Sequence, residues 1–283
     1  MAAQGRTRNH DFFALPSTTV EYEYQGKQHL LDVVERTRET SWKETHIIFT
    51  GLDPQTFEHE IENTDCRRIN QSFDTYLPQF GLLLLEMPAS DVHETTSNRL
   101  NLMIMEALPR RLRRALSMRG ETGYQSATRQ KCADQAYVPK RLPSGRSNHW
   151  PSMVIECGWS ETRAKLERDC RWWLHDSDGD VKIALSISVH MRRKQIIIQK
   201  WESFQLQTRA GQAQTGERLA QTIVLSQVRD HPIRLTGPPL RLEFDKVFLR
   251  QPLPTQGEHD IEITAEDLRF LAQDIWQVHP NVE

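Results

Sequence analysis

Between Trp150 and Trp173 an apolar triplet, Met153-Val154-Ile155, runs into Glu156, Cys157 and Gly158, and a lysine follows at Lys165. A carboxylate can ligate a hard cation and an ammonium can stabilise charge on an oxyanion, so this pair is the first place to look for chemistry. The spacing predicts a buried strand, a tight turn and a helix. Gly158 can take positive φ or admit a close neighbour, Ser160 can cap the helix, and Glu161 suits the positive end of the helix dipole. Leu166, Cys170, Trp173 and Leu174 recur at i, i+4, i+7 and i+8 and form one apolar stripe, which leaves the other face for any chemistry. Trp172 and Trp173 read as packing rather than as a base-stacking platform.

The dense basic cluster is Arg110-Arg111-Leu112-Arg113-Arg114. It fits either a solvated amphipathic face or a surface that contacts phosphates. His231, His259 and His279 lie far apart without ligand spacing, and Cys66, Cys132, Cys157 and Cys170 lack close metal-ligand spacing. Reduced, structural thiols in an intracellular protein are expected. A Gly-x-Ser-x-Gly elbow, a phosphate loop and a dinucleotide fingerprint are all absent, which argues against a serine hydrolase, an NTPase and a Rossmann enzyme.

These residues need a scaffold, and 283 of them can bury a sizeable core. The 37% hydrophobic and 26% charged fractions are those of a globular chain, and a net charge of -2 gives no global basic field. The apolar run Phe80 to Leu85 is broken by Gly81 and is too short to span a bilayer, and the N-terminal residues lack the apolar core of a signal peptide.

In chain order, residues 1–18 read as a loosely held arm. Strands are expected at 19–24, 46–50 and 80–87, with a helix at 27–38 carrying Leu30, Leu31 and Val34 inward; residues 52–75 show no clear period. A helix over 90–108 places Leu100, Ile104, Ala107 and Leu108 at core spacing and breaks at Pro109. Strands at 122–128 and 133–138 and a basic loop at 139–148 lead into the strand and helix already described. A hairpin then pairs 181–189 with 195–201, with Arg192, Arg193 and Lys194 at its turn. Strands at 220–228 and 239–249 follow, and Thr264-Ala-Glu-Asp267 opens a last helix with Leu268, Leu271, Ala272 and Ile275 inward.

The order from 90 to 201 is thus helix, strand, strand, strand, helix, strand, strand. With Asp134, Glu156 and Lys165, it resembles the PD-(D/E)XK restriction-endonuclease-like superfamily, and most closely its uncharacterised microbial and fungal members. In those a similar Ile-Glu strand leads into a helix ending in Trp-Trp-Leu. The resemblance implies an α/β fold with a central mixed sheet flanked by helices. It divides the chain into an arm (1–18), an accessory region packed on the core (19–88), a nuclease-like core (89–205) and strands and a helix completing the same domain (206–283).

It also implies that Asp134 and Glu156 bind a divalent metal, Mg2+ or Mn2+, and that Lys165 assists the attacking water. A first-helix acid would complete the site: Glu94 ahead of Glu106, with His93 on the same rim. Arg110, Arg111, Arg113 and Arg114 are the matching candidates for nucleic-acid contact. The sequence departs from the superfamily pattern at Ala133, where proline is usual, and at Gly158, where the lysine usually stands. Lys165 suits the variant in which the lysine lies on the following helix. It sits five residues beyond Ser160, a rise of about 7.5 Å, and its side chain tilts back toward the strand exit. The function implied is metal-dependent phosphodiester hydrolysis of DNA or RNA; the alternative is a catalytically silent fold serving as a nucleic-acid or protein interaction module.

Overall fold

The computed structural model describes residues 8–40, 45–64, 66–87, 91–120, 122–159, 163–207 and 213–278. Its elements begin with β1 (Val20–Glu23), α1 (Lys27–Thr40), β2 (Thr45–Thr50), α2 (Pro54–Phe57), α3 (Arg67–Ser72), β3 (Phe73–Leu77) and β4 (Leu82–Met87). There follow α4 (Asp91–Glu106), α5 (Arg110–Arg113), β5 (Leu116–Met118), β6 (Gly123–Gln125), β7 (Gln130–Cys132), β8 (Gln135–Pro139), β9 (Met153–Trp159) and α6 (Arg163–Asp176). The last are β10 (Ile183–His190), β11 (Gln195–Gln207), β12 (Ala213–Ser226), β13 (Arg234–Thr236), β14 (Leu240–Leu242), α7 (Phe244–Phe248), β15 (Ile261–Ile263) and α8 (Ala265–Val278). The chain is a mixed α/β protein that divides into two compact units, one of residues 1–90 with 123–132 and one of 91–122 with 133–283.

The first unit is a six-stranded sheet in the order β1-β2-β4-β3-β7-β6. Leu83 and Leu85 pack with Leu30, Val33 and Val34 of α1, while Leu82 and Leu84 face Phe13 and Leu15 on the opposite side. Alternation along β4 explains why an all-leucine run is buried on both faces. Val33, rather than Leu31, completes the inner stripe of α1. Phe80, expected in the strand, belongs to the turn before it and is exposed. The polar stretch that showed no period contains α2, a π-helical turn at Glu58–Glu62, α3 and the start of β3.

The second unit carries a seven-stranded sheet in the order β13-β12-β11-β10-β9-β8-β5. β5, β8 and β9 form an antiparallel meander, α6 crosses over, and β10 pairs parallel to β9. The first strand of this meander is Leu116–Met118, not the expected 122–128. That stretch holds β6, which pairs with β7, and β7 pairs with β3 in the first unit's sheet. Two short polar strands joined by a turn carry no pattern that says which sheet they join; pairing partners decide that. The expected strand over 239–249 is also corrected. Only Leu240–Leu242 pairs, with β15, and Phe244–Phe248 closes into a helical turn that buries Phe244, Val247 and Phe248. α8 buries Leu268, Leu271, Ala272 and Ile275 as its periodicity requires.

Candidate active site

Strand alternation sets the site. Met153, Ile155 and Cys157 of β9 join the core that includes Leu100 and Ile104 of α4 and Leu271 of α8. Glu156 therefore emerges on the other face, beneath α6. There its Oε1 accepts a hydrogen bond of 2.5 Å from the indole Nε1 of Trp173. Trp173 is fully buried and meets Trp172 and Trp150 edge to face, with ring centroids 4.8 and 5.9 Å away. Glu156 is itself buried, and the strand register sets it beside Ser186 of β10, which in turn stands beside Gln199 of β11. A polar row thus crosses three strands of the sheet.

α6 covers that row. Leu166, Cys170, Trp173 and Leu174 are all buried, as the stripe predicts. The buried face is wider than the stripe, because Lys165 and Asp169 are also inside, with 3% and 0% exposure. Their side chains form an ion pair one helical turn apart, Nζ to Oδ2 2.9 Å. Taking both charges out of water is tolerable only because each neutralises the other. The Ser160 cap lies outside the described residues.

Asp134 immediately precedes β8. Gln135 pairs with Ile155, so one step further along the antiparallel register brings Asp134 opposite Glu156. The Asp134 carboxylate is fixed there, with Oδ2 accepting from the Cys157 backbone N–H at 2.6 Å. Two of the three expected residues, Asp134 and Glu156, therefore sit at one end of adjacent strands. Lys165 lies on the helix covering the Glu156 face, paired to Asp169. Glu94 and His93 fall on α4, and their side chains are outside the described residues; Glu106 is exposed near the other end of the same helix.

The expected arginines lie elsewhere. They precede Leu116, which pairs with Pro139 at the end of β8 remote from Asp134. Arg111 donates to the buried Glu258 at 2.7 Å and to the Gln256 carbonyl oxygen, and Arg113 Nε donates to the Leu108 carbonyl oxygen. Arg250 holds Glu258 from the other side at 2.6 and 2.8 Å. The hydrogen bonds from Arg250 foremost, opposed by burial but joined by the Leu253 N–H and Arg111, bring the Glu258 pKa down from 4.5 to about 2. Arg111 is thus half of a structural clamp.

Two participants are absent from the sequence reading. Asp169 had a signal, since a lysine and an aspartate four apart on one helix face are paired neighbours. The Trp173 donor had one too, since a buried indole N–H needs an acceptor and Glu156 is a buried acid on the strand before the helix. Among the described residues no group of three or more His, Cys, Asp or Glu side chains is arranged to hold a metal. Two carboxylates and solvent are nevertheless an adequate oxygen donor set for Mg2+ or Mn2+. The four cysteines form no disulfide among the described residues, and no helix among the described residues is long and apolar enough to cross a membrane.

No family model and no curated protein matches the chain. Among solved structures the chain is similar to a DUF820 protein from Anabaena variabilis, itself a candidate nuclease. The two are 12% identical with a TM-score of 0.38 over 70% of this chain and 90% of that one, a superposition too loose to transfer a residue or an activity.

Proposed function

We propose that the second unit is a divalent-metal-dependent nuclease of the restriction-endonuclease-like type, hydrolysing phosphodiester bonds of DNA or RNA. The observation that carries the reading is the fixed opposition of Asp134 and Glu156 on β8 and β9, within a helix, three-strand meander, crossover helix and parallel strand. Asp134 and Glu156 would hold Mg2+ or Mn2+, which when bound polarises the phosphate and lowers the pKa of water. The chain's own groups do the positioning. The Cys157 N–H orients Asp134, the Trp173 indole orients Glu156, and Asp169 holds the Lys165 side chain by an ion pair on the helix that covers Glu156. From there Lys165 would assist the attacking water.

A second reading is favoured by one specific observation: Glu156, Lys165 and Asp169 are all at most 3% exposed and held by internal partners. On that reading the polar row is a structural core and the fold serves as an interaction module.

Cleavage of single- and double-stranded DNA and RNA with Mg2+ or Mn2+, by wild type, Asp134→Asn and Glu156→Gln, separates the two. The nuclease reading expects metal-dependent cleavage by wild type, lost in both variants, and a melting point raised by metal in wild type alone. No cleavage and no metal-induced shift in wild type would sink it.

A further inference from the structure

At the end of the second unit's sheet where Asp134 and Glu156 lie, β9 and β10 finish together, with Trp159 beside Val189, and the turn 191–194 carries Arg192, Arg193 and Lys194. A groove of about 660 Å³ opens between this turn, the connection from β12 to β13, and α8. Its size is that of a small-ligand site. Lys194, Gln227, His231, Arg269 and Phe270 line it, and Trp276 contributes to its floor.

Three features of the groove need an explanation that folding does not supply. Phe270 is 54% exposed on a helix whose apolar stripe is otherwise inside. Among the described residues Lys194 and Arg269 have no ion-pair partner: Lys194 Nζ meets the Gln227 amide oxygen at 3.4 Å, and Arg269 meets the Ala265 carbonyl oxygen of its own helix. Elsewhere in this unit Arg111, Arg146, Arg218, Arg241 and Arg250 each meet a carboxylate. Arg192, Arg193 and Arg229 are exposed around the same rim, so the local balance is positive even counting Asp230 and Glu266 in the lining.

An exposed aromatic ring between cations that lack acidic partners is the chemistry that holds a single-stranded nucleotide: the base stacks and the phosphate is neutralised. Primary amides of Gln227, Gln273 and Gln277 in the lining offer both donors and acceptors to a base edge. We propose that this groove binds one nucleotide of a single-stranded nucleic acid, with its base on Phe270 and its phosphate between Lys194 and Arg269. The inference rests on the proposed function for the kind of polymer and not for the cleavage.

The test is fluorescence anisotropy of a labelled single-stranded oligonucleotide with wild type, Phe270→Ala, the double variant Lys194→Ala with Arg269→Ala, and Leu253→Ala, beside a cleavage assay. Phe270→Ala is expected to weaken binding about 5- to 100-fold. The double cation variant is expected to flatten the slope of log affinity against log salt by about 0.7, the value for one phosphate of a single strand. Leu253→Ala, at an exposed position outside the groove lining, should bind as wild type does. Because Phe270, Lys194 and Arg269 are at the surface, unchanged circular dichroism is expected for all groove variants. Unchanged affinity of folded Phe270→Ala, equal weakening by Leu253→Ala, or binding of an anionic peptide in place of the oligonucleotide would overturn the groove. Loss of groove binding without any cleavage by wild type would uphold it and remove the nuclease reading instead.

Discussion

The contact between Trp173 and Glu156 is the place where stability and chemistry can be told apart by energy. Trp173→Phe keeps an aromatic ring but deletes the donor 2.5 Å from a carboxylate that is 3% exposed. A hydrogen bond to a buried charged group is worth about 1.5 to 3 kcal/mol. The smaller ring adds about 1 kcal/mol at roughly 24 cal/mol per Å³ of uncollapsed space. The single variant should therefore lose about 2.5 to 4 kcal/mol. Glu156→Gln keeps an acceptor for the indole but removes the charge, so in the Trp173→Phe background it should recover about 1.5 to 2 kcal/mol of that loss. Urea unfolding of wild type, both single variants and the double variant, followed by far-ultraviolet circular dichroism, gives the coupling directly. A coupling below about 0.5 kcal/mol, the level at which distant sites add independently, would refute the view that the indole holds the charge of Glu156.

Three further perturbations test the frame around the site. Lys165→Met should destabilise by about 3 to 5 kcal/mol because it strands the fully buried Asp169, whereas Lys165→Met with Asp169→Leu should recover most of that in the same urea experiment. Glu258 has a folded pKa of about 2 against 4.5, so its contribution is complete above pH 4.5 and is lost as the pH falls from 4.5 toward 2. Melting points measured over that window should show a shallower acid decline in Glu258→Gln, which starts about 2 kcal/mol less stable at neutral pH. Gly237 has φ +103° and a Cβ there would run into the Thr222 carbonyl, so Gly237→Ala should lower the melting point by several degrees where a neutral surface change would not.

What the sequence determines about this protein is local. The triplet before Glu156 is apolar and short, so it is a buried strand, and the 3.6-residue recurrence of Leu166, Cys170, Trp173 and Leu174 fixes which face of α6 is inside. The same periodicity placed α8 and most of α4 correctly. Local pattern also told that Asp134, Glu156 and Lys165 belong to consecutive elements, strand, strand and helix. It could not tell that Phe244–Phe248 would curl into a helical turn rather than extend, because a five-residue apolar run satisfies either conformation and burial against the sheet chooses.

Tertiary structure decided the rest through pairing and shared burial. Residues 123–132 leave their neighbours in sequence and complete the first unit's sheet, so Leu116–Met118 takes their place in the meander. Arg111, which reads in sequence as part of a solvated or phosphate-contacting basic face, is taken up by Glu258, 147 residues away, and its group sits at the end of β8 remote from Asp134. Lys194 and Arg269, 75 positions apart in the sequence, line one groove. Periodicity reports which way a side chain faces along its own element, but the partner it meets there is set by strand order and register, which no single stretch of sequence contains.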